Sequence, residues 1–189
     1  MTFRPLQGAG IVVILKTKGV IPVYQTTLIS PVGTLTLASD GTALTGLWIE
    51  GQKYFAPFLT ANAQENAQLP VFQQTAAWLD SYFSAEEDLP PLPPLSPQGS
   101  PFRQAVWKLL LAIPSGETTT YGALTKTLQA AGIAASAQAV GGAVGHNPIL
   151  ILIPCHRVLG ADGSLTGYAG GLDTKCFLLD LEQKRNRDR

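Results

Sequence analysis

The sequence predicts a mixed α/β fold of the α+β kind, arranged in two lobes. Three β-rich segments separated by turn residues come first, a proline-rich stretch interrupts the middle, and helical patterns dominate the second half. Runs of strands followed by runs of helices are typical of folds that keep sheet and helices apart. We divide the chain into an extension of unknown role (1–19), a first lobe (20–85), a connector (86–100) and a second lobe with a basic tail (101–189).

The first lobe is predicted to be a small antiparallel meander followed by one helix. The segments 24–29, 34–38 and 44–49 are rich in β-branched and apolar residues, with Ser, Pro, Asp and Gly turns between them. Apolar residues from Val71 to Phe83 then recur near helical spacing. The lobe should therefore pair three strands in sequence order and add a helix.

The connector is marked by the run Leu89–Pro97, whose proline density excludes helix and central strand. We interpret it as an extended surface link, with a disordered loop as the alternative. Beyond it, apolar spacing, turn residues and Ser136 as an N-cap predict helices near 101–110, 121–129, 136–145 and 173–182, and a buried strand at 149–153.

The second and third of these helices suggest a helix-turn-helix in the second lobe, which makes it a mostly helical lobe. The third helix is small-sided, with Ala139, Gly141 and Gly142 along it. Small residues let a helix backbone approach another surface closely, and a DNA groove is one such surface. Tight packing against another helix is the simpler alternative, because such motif matches are permissive.

Composition excludes several classes of protein. The formal net charge is zero, divided as −3 over residues 1–99 (four Lys/Arg, seven Asp/Glu) and +3 over 100–189 (nine and six), so charge alone barely favours a polyanion partner. Two cysteines and two histidines are too few for a disulfide framework or a structural zinc site. We expect no metal, no cofactor and a reduced cytoplasmic thiol. The apolar run 10–15 is too short to span a membrane, so no membrane association is expected.

Cys155 and His156 place a thiol beside an imidazole, directly after the apolar run 149–153. A cysteine is often only a small buried hydrophobe, and we interpret Cys176, inside the last helix, in that way. Positive charge on His156 and Arg157 is expected to lower the pKa of the Cys155 thiol.

Neighbouring side chains on a strand point to opposite faces, so contact between Cys155 and His156 requires a turn or a bridging water. Glu182 is the candidate for orienting the imidazole, because the last helix can fold back over this loop. A solvated acid at a helix end is the alternative for Glu182.

The run Pro154–Val158 resembles the active-site signature of the O6-alkylguanine-DNA alkyltransferases. The resemblance covers residues 100–183 strongly and 24–83 weakly. Further matching residues, in the order found in that family, are Tyr121, Ala139-Val140-Gly141-Gly142-Ala143, Asn147-Pro148, Gly167-Tyr168-Ala169-Gly170-Gly171-Leu172, Lys175, Leu178-Leu179 and Glu182.

The resemblance implies repair of double-stranded DNA by transfer of an alkyl group from O6-alkylguanine to Cys155, with O4-alkylthymine as a further candidate substrate. The damaged nucleotide would be rotated out of the duplex, and one protein would repair one lesion. His156 would take the thiol proton through a water, and Glu182 would orient His156. The resemblance further implies a monomer acting in the cytoplasm.

The same resemblance gives further residues their roles. Tyr121 would donate a hydrogen bond to the departing base and help rotate the phosphate, while Asn147 would brace the active-site turn. The third helix would enter the minor groove. The expected pocket residues are Val158, Tyr168 and Ala169, and the expected DNA-binding residues are Gln138, Ala139, Gly141, Gly142 and Arg157.

Gln138 departs from the family pattern, which has an arginine filling the gap left by the flipped base. Glutamine can hydrogen-bond an orphaned base but supplies no charge. A damage sensor that binds DNA without transferring the alkyl group is therefore the main alternative, although Cys155 argues against it. A cysteine hydrolase using Cys155 and His156 is a third hypothesis, without a glycine-rich nucleophile elbow to support it.

Overall fold

The computed structural model describes residues 23–56, 59 and 63–187, and it has the predicted α+β fold. The described residues form a four-stranded sheet, a two-stranded ribbon and five α-helices. The extension 1–19 lies outside the described residues. The strands are β1 (Tyr24–Ser30), β2 (Gly33–Ser39), β3 (Leu44–Ile49), β4 (Gln64–Glu65), β5 (Thr119–Thr120) and β6 (Val158–Leu159). The helices are α1 (Pro70–Phe83), α2 (Pro101–Leu111), α3 (Tyr121–Ala130), α4 (Ala137–Gly145) and α5 (Leu172–Arg187).

The larger sheet has the strand order β3-β2-β1-β4, with the predicted meander antiparallel and the short β4 parallel to β1. The β1–β2 turn is tight because Gly33 adopts φ +108° and its carbonyl accepts a hydrogen bond from Ser30 Oγ at 2.7 Å. Inward-facing leucines of β2 and β3 form one hydrophobic core with the buried side of α1. The core members from these elements include Leu35, Leu37, Leu44, Leu47, Phe72, Trp78 and Leu79.

The outer edge of β3 is covered by two other segments. The Leu44 amide donates to the Pro94 carbonyl at 2.8 Å, and the Leu44 carbonyl accepts from the Ser96 amide at 2.8 Å. The connector can pair here despite its prolines, because Pro94 contributes only a carbonyl. Leu47 pairs in the same way with the segment before the cysteine, donating to the Pro148 carbonyl at 2.8 Å. The edge of β3 therefore joins connector, sheet and second lobe.

The helix-turn-helix pair is α3 and α4, and α4 has the predicted N-cap, Ser136. Ser136 Oγ accepts from the Ala139 amide at 3.2 Å, and Thr120 Oγ1 caps α3 by accepting from the Ala123 amide. Trp107 of α2 donates from Nε1 to the Ala143 carbonyl at 2.9 Å. That bond fixes α4 on α2 with its opposite side facing outward.

Three predictions about the second lobe are wrong. Residues 149–153 form one bridge to Leu47 and then a turn, in which Ile151 has φ +70°. This segment is buried on all sides, and an apolar run cannot distinguish a buried turn from a buried strand. Cys176 is exposed on α5 and does not pack. The last helix does not end near residue 182, because α5 continues to Arg187 and buries Arg185, whose guanidinium donates to the Tyr82 carbonyl at 2.6 Å.

Among the described residues, no helix is both long and apolar enough to cross a membrane. The same residues contain no group of three His, Cys, Asp or Glu side chains arranged to hold a metal ion.

Candidate active site

Cys155 opens a short 3-10 turn, Cys155–Arg157, which we call the cysteine turn. Its amide donates to the Ile153 carbonyl at 2.8 Å, and its carbonyl accepts from the Val158 amide. The side chain is 2% exposed. Because the backbone turns here, Cys155 and His156 are not forced to opposite faces as they would be on a strand. The turn anticipated from the sequence is present.

Asn147 ties the cysteine turn to the end of α4. Its Nδ2 donates to the Ile153 carbonyl at 2.7 Å and to Cys155 Sγ at 3.1 Å, while its Oδ1 accepts from the Ile149 amide at 3.0 Å. Asn147 is buried, so these bonds are not exchanged with solvent. One amide therefore closes the loop before the cysteine and contacts the sulfur itself.

His156 and Glu182 form a fully buried pair, with Nε2 and Oε1 2.8 Å apart. The solvated-acid alternative for Glu182 is therefore wrong. His156 Nδ1 is buried and has no hydrogen-bond partner among the protein atoms, and no direct hydrogen bond joins His156 to Cys155. With the carboxylate ionised, Nε2 carries the proton and donates, which leaves Nδ1 as an acceptor.

Five donors keep Glu182 ionised. Oε1 accepts from Tyr82 Oη (2.7 Å), His156 Nε2 (2.8 Å) and Arg157 Nη2 (2.7 Å). Oε2 accepts from Arg157 Nε (2.9 Å) and the Gly116 amide (3.0 Å). Burial alone would raise the pKa of Glu182, but the hydrogen bonds and charges of His156 and Arg157 outweigh it and lower that pKa.

The expectation that Arg157 contacts DNA is not supported. Arg157 is 8% exposed, and its guanidinium donates to Glu182 and to the Ile113 carbonyl. In the sequence, a positive residue beside a cysteine is equally consistent with a DNA contact and with an ion pair to a distant acid. Only the fold brings Glu182 to Arg157.

The resting thiol of Cys155 is neutral. Burial raises the pKa of Cys155 to about 11, and the Asn147 hydrogen bond and the Lys175 charge lower it too little to compensate. Burial also lowers the pKa of His156, so this imidazole supplies no standing charge. The expected lowering of the thiol pKa by His156 and Arg157 is therefore wrong. The cation that does act on the sulfur is Lys175, whose Nζ donates to the Val158 and Thr166 carbonyls at 2.6 and 2.7 Å.

A cavity of about 370 Å³ lies between the end of α4, Tyr121 and residues 166–169, and no residue of the cysteine turn lines it. Of the predicted pocket residues, Tyr168 and Ala169 line it, whereas Val158 is fully buried and does not. Tyr121 also lines it, with its hydroxyl donating to the Thr166 carbonyl at 3.2 Å. The full lining is Lys53, Tyr54, Tyr121, Gly141, Gly142, Gly145, His146, Thr166, Gly167, Tyr168 and Ala169.

Two lining residues, Lys53 and Tyr54, come from the first lobe and were not predicted. The Lys53 amide donates to the Ala169 carbonyl at 3.0 Å, and the Tyr54 ring stacks on His146 with centroids 4.1 Å apart. His146 is half-buried at the cavity rim. No local pattern marks Lys53 or Tyr54, because both reach the cavity only through the packing of the lobes.

The outward side of α4 carries the predicted small and polar residues. Gln138, Ala139 and Gly142 are exposed and Gly141 is half-buried. A Cβ added at Gly142 or Gly145 would meet no atom within 4 Å, and one at Gly141 would meet only the Tyr121 ring at 3.9 Å. Tight packing inside the protein therefore does not explain the glycines at 142 and 145.

Comparison with known proteins places both lobes in one family. Residues 23–93 match the family model described as "6-O-methylguanine DNA methyltransferase, ribonuclease-like domain", and residues 101–184 match its "DNA binding domain". A methylated-DNA–protein-cysteine methyltransferase of Haemophilus influenzae is 44% identical over 85% of this chain and 86% of its own. The chain belongs to the methylated-DNA–protein-cysteine methyltransferase family.

Solved structures of methylated-DNA–protein-cysteine methyltransferases agree with this assignment. The O6-methylguanine methyltransferase of Mycobacterium tuberculosis superposes with a TM-score of 0.74 at 42% identity, covering 86% of this chain and 94% of that one. A Mycobacterium tuberculosis structure in complex with DNA gives a TM-score of 0.73 at 41% identity over the same shares. The family resemblance drawn from Pro154–Val158, the fold class and the assignment to an enzyme class are thereby confirmed.

Proposed function

We propose that this protein repairs double-stranded DNA by moving the alkyl group of O6-alkylguanine onto Cys155, one lesion per molecule. The bond from Cys155 Sγ to the alkyl carbon forms as the bond from that carbon to guanine O6 breaks. The thiol proton goes to His156, and the guanine anion left behind takes up a proton from solvent and returns to its keto form, with hydrogen on N1. One observation carries the proposal: Cys155 is held through its sulfur by Asn147, beside a buried His156–Glu182 pair whose Nδ1 is not used by the protein.

Proton removal is the first step, because a neutral thiol displaces poorly at carbon. With Glu182 ionised, His156 Nδ1 is the acceptor, and a bridging water carries the proton since no direct hydrogen bond joins the two side chains. The imidazolium so formed faces the Glu182 carboxylate, which stabilises it. Lys175 offsets charge on the thiolate. The Cys155 thiolate therefore forms during the reaction and is not present in the resting protein.

Departure of the base is assisted by Tyr121. Burial raises the pKa of Tyr121, so its hydroxyl keeps a proton to donate at neutral pH. At rest that hydroxyl contacts the Thr166 and Gly167 carbonyls at the cavity lip. Redirected toward the base, it would hydrogen-bond the departing purine and help rotate the phosphate.

The lesion must leave the base stack to react, because Cys155 is buried and guanine O6 lies inside the duplex. We place the flipped base in the 370 Å³ cavity between Tyr121, Tyr168 and Ala169. The outward side of α4 would lie in the minor groove, with Gln138 in the gap left by the base. The unfilled space at Gly142 supports contact between this side of α4 and DNA, and the Mycobacterium tuberculosis relative has been solved in complex with DNA.

The product is a thioether, which does not hydrolyse under mild conditions, so nothing restores the thiol. We further propose that the protein acts as a monomer in the cytoplasm, where thiols stay reduced. O4-alkylthymine is a second candidate substrate. The division into a first lobe, a connector and a second lobe that carries both the alkyl acceptor and the DNA surface belongs to the same proposal.

Intact-protein mass spectrometry tests the transfer directly. The protein is mixed with a duplex containing one O6-methylguanine, and the modified peptide is mapped. A gain of one methyl group on Cys155, stopping at one per protein, is the expected result. An unchanged mass with the lesion still in the DNA would replace the proposal with the sensor hypothesis. Repeated turnover of an ester substrate would favour the hydrolase.

Gly142→Ala tests the DNA surface. The added methyl group meets no protein atom, so the free protein should gain up to about 1 kcal/mol of stability from better helix propensity. If α4 lies against DNA, the same methyl group should weaken duplex binding, by about tenfold for 1.4 kcal/mol. Thermal unfolding and a binding titration measure both effects. Gly145 lies on the same side of α4 and lines the cavity, so the control is Gln74→Ala on the exposed side of α1, which also raises helix propensity but lies in the first lobe.

A further inference from the structure

Tyr82 is a residue of the first lobe that reaches the centre of the second. It lies in the last turn of α1, and it is fully buried. Its hydroxyl donates to Glu182 Oε1 at 2.7 Å and lies 3.5 Å from His156 Nε2. The contact joins positions 100 residues apart in the chain.

The Tyr82 ring is held on several sides, so its hydroxyl has little freedom. The Trp78 ring stacks on it with centroids 5.0 Å apart and planes 14° apart. The Arg185 guanidinium carbon lies 5.0 Å from the ring centroid, and Arg185 Nη2 donates to the Tyr82 carbonyl at 2.6 Å. A side chain fixed in this way places a hydrogen-bond donor reproducibly, which is what a buried ion pair needs to keep one geometry.

We propose that Tyr82 is a positioning residue for alkyl transfer, whose hydroxyl holds Glu182 Oε1 against His156 Nε2 and limits how strongly that carboxylate favours protonated imidazole. The inference rests on the proposed function, because it gives His156 the task of accepting the thiol proton. The first lobe then completes the site instead of only supporting it.

The Tyr82 hydroxyl affects His156 because both donate to the same oxygen, Glu182 Oε1. Oε1 accepts from Tyr82, His156 and Arg157 at once, and each donor withdraws part of the negative charge available to the others. Without the Tyr82 hydroxyl, the carboxylate would interact more strongly with the imidazole. His156 would then be protonated at a higher pH, and a base that already carries a proton cannot accept one from Cys155.

The groups facing His156 set the sign of this change. Burial disfavours the charged imidazole most, Glu182 favours it, and the charges of Arg157 and Lys175 oppose it. Tyr82 approaches from α1, and the Tyr168 ring lies edge-on with centroids 6.4 Å apart. Cys155 is uncharged at rest. Among these, the Tyr82 hydroxyl is the group that can be deleted while the ring and every charge stay in place.

The test is Tyr82→Phe in the full chain, with the rate of methyl transfer to Cys155 followed from about pH 5 to pH 8, where histidine titrates. The acid limb of the profile should move to higher pH by up to about one unit, so that the rate near its midpoint falls by up to about tenfold. Thr75→Val is the matched control. It removes another buried hydroxyl of α1, whose hydrogen bond to the Val71 carbonyl at 2.7 Å stays within that helix.

A second measurement does not depend on transfer. The chain has two histidines, so the imidazole resonances of His156 can be assigned and followed as a function of pH. In Tyr82→Phe the His156 midpoint should lie at higher pH than in the wild-type protein. A wild-type protein that transfers nothing, with a His156 midpoint that still moves, overturns the proposed function but not the electrostatic role of Tyr82.

Two outcomes overturn the inference. In one, the Tyr82→Phe profile and His156 midpoint are the same as in wild type. In the other, Tyr82→Phe lowers stability, as Thr75→Val should, and lowers the transfer rate equally at every pH, which makes Tyr82 a packing residue only.

Discussion

The two cysteines of this chain occupy opposite environments. Cys155 is buried in a turn, with an amide donor at its sulfur and an imidazole next in the chain. Cys176 is exposed on α5, and its sulfur lies 3.6 Å from Asp180 Oδ2. Burial raises the pKa of Cys155, and the Asp180 charge raises the pKa of Cys176. A raised thiol pKa therefore does not distinguish a nucleophilic cysteine from an unreactive one. The distinction comes from neighbouring groups that can accept the thiol proton and balance the charge of the thiolate.

Those groups surround Cys155 alone. His156 offers Nδ1 as an acceptor, Asn147 donates to the sulfur, and Lys175 adds positive charge. Cys176 faces an acid, which opposes formation of a thiolate. Exposure makes Cys176 accessible to solvent, whereas the groups around Cys155 allow it to lose its proton and react once a substrate is bound.

Replacement of each cysteine gives the largest contrast. Cys155→Ala should abolish methyl transfer, because no other side chain of the site can form the thioether, while duplex binding remains. Cys176→Ala should transfer at the wild-type rate. Mass spectrometry with the O6-methylguanine duplex measures both, and methylation of Cys155→Ala at position 176 would contradict the assignment.

Glu182→Gln should have the next largest effect. The amide cannot hold a charged imidazole, so the transfer rate should fall by about 10²–10⁴-fold, the range for lost acid–base assistance. Removal of one partner from a buried ion pair should also destabilise the fold by about 3–5 kcal/mol. Wild-type and variant rates and thermal unfolding at neutral pH measure these losses.

The acid dependence of stability separates Glu182 from a general defect. The folded-state pKa of Glu182 lies below its ordinary value of 4.5, so its stabilising contribution is present above that value and is lost as the pH falls through the folded-state pKa. The stability difference between wild type and Glu182→Gln should therefore shrink on acidification below about pH 4.5. A constant difference would show that ionisation of Glu182 does not stabilise the fold.

Asn147→Ala should reduce transfer by a smaller factor, of about 10–100-fold, as expected for one lost hydrogen bond of about 1.5–3 kcal/mol to a developing charge. The pKa of Cys155 should rise further, because the Nδ2 donor at Sγ is gone. Transfer rates as a function of pH test this prediction. Asn66→Ala, in the first lobe, removes an asparagine that does not contact Cys155 and serves as the control.

Thiol labelling should give the smallest and simplest contrast. A neutral alkylating reagent near pH 7 should modify Cys176 before Cys155, because Cys155 is both buried and protonated. In denaturant the two should react alike. Faster labelling of native Cys155 would mean that its thiolate already exists at rest, which would overturn the proton-transfer step proposed here.

Local sequence signals predicted most of the fold. The turns around Gly33 and Asp40, the serine cap at Ser136 and the helical spacing after Pro101 act over a few residues, and the structure has the corresponding elements. The strand predicted at 149–153 failed because burial, not alternation, determines the composition of that segment.

Within the site, the prediction extended as far as residues adjacent in sequence or matched by the family pattern. Cys155, His156 and Asn147 lie together as the sequence suggested, and Glu182 reaches them from α5. Tyr82 could not be predicted, because it meets Glu182 only after two lobes have packed. The buried role of Arg157 was missed for the same reason.

The length of helix α4 sets the distance between Gln138 and Asn147. Its nine residues rise about 1.5 Å each, so the helix spans about 13 Å, with Gln138 in its first turn and Asn147 two residues past its end. In the proposed complex, Gln138 at the first end of α4 lies where the base leaves the stack. Asn147, past the other end, contacts the thiol that the alkyl group of that base must reach. The length of α4 therefore sets the distance through which one nucleotide must be displaced. A single residue inserted into it would change that measure by 1.5 Å and rotate one end by about 100° relative to the other.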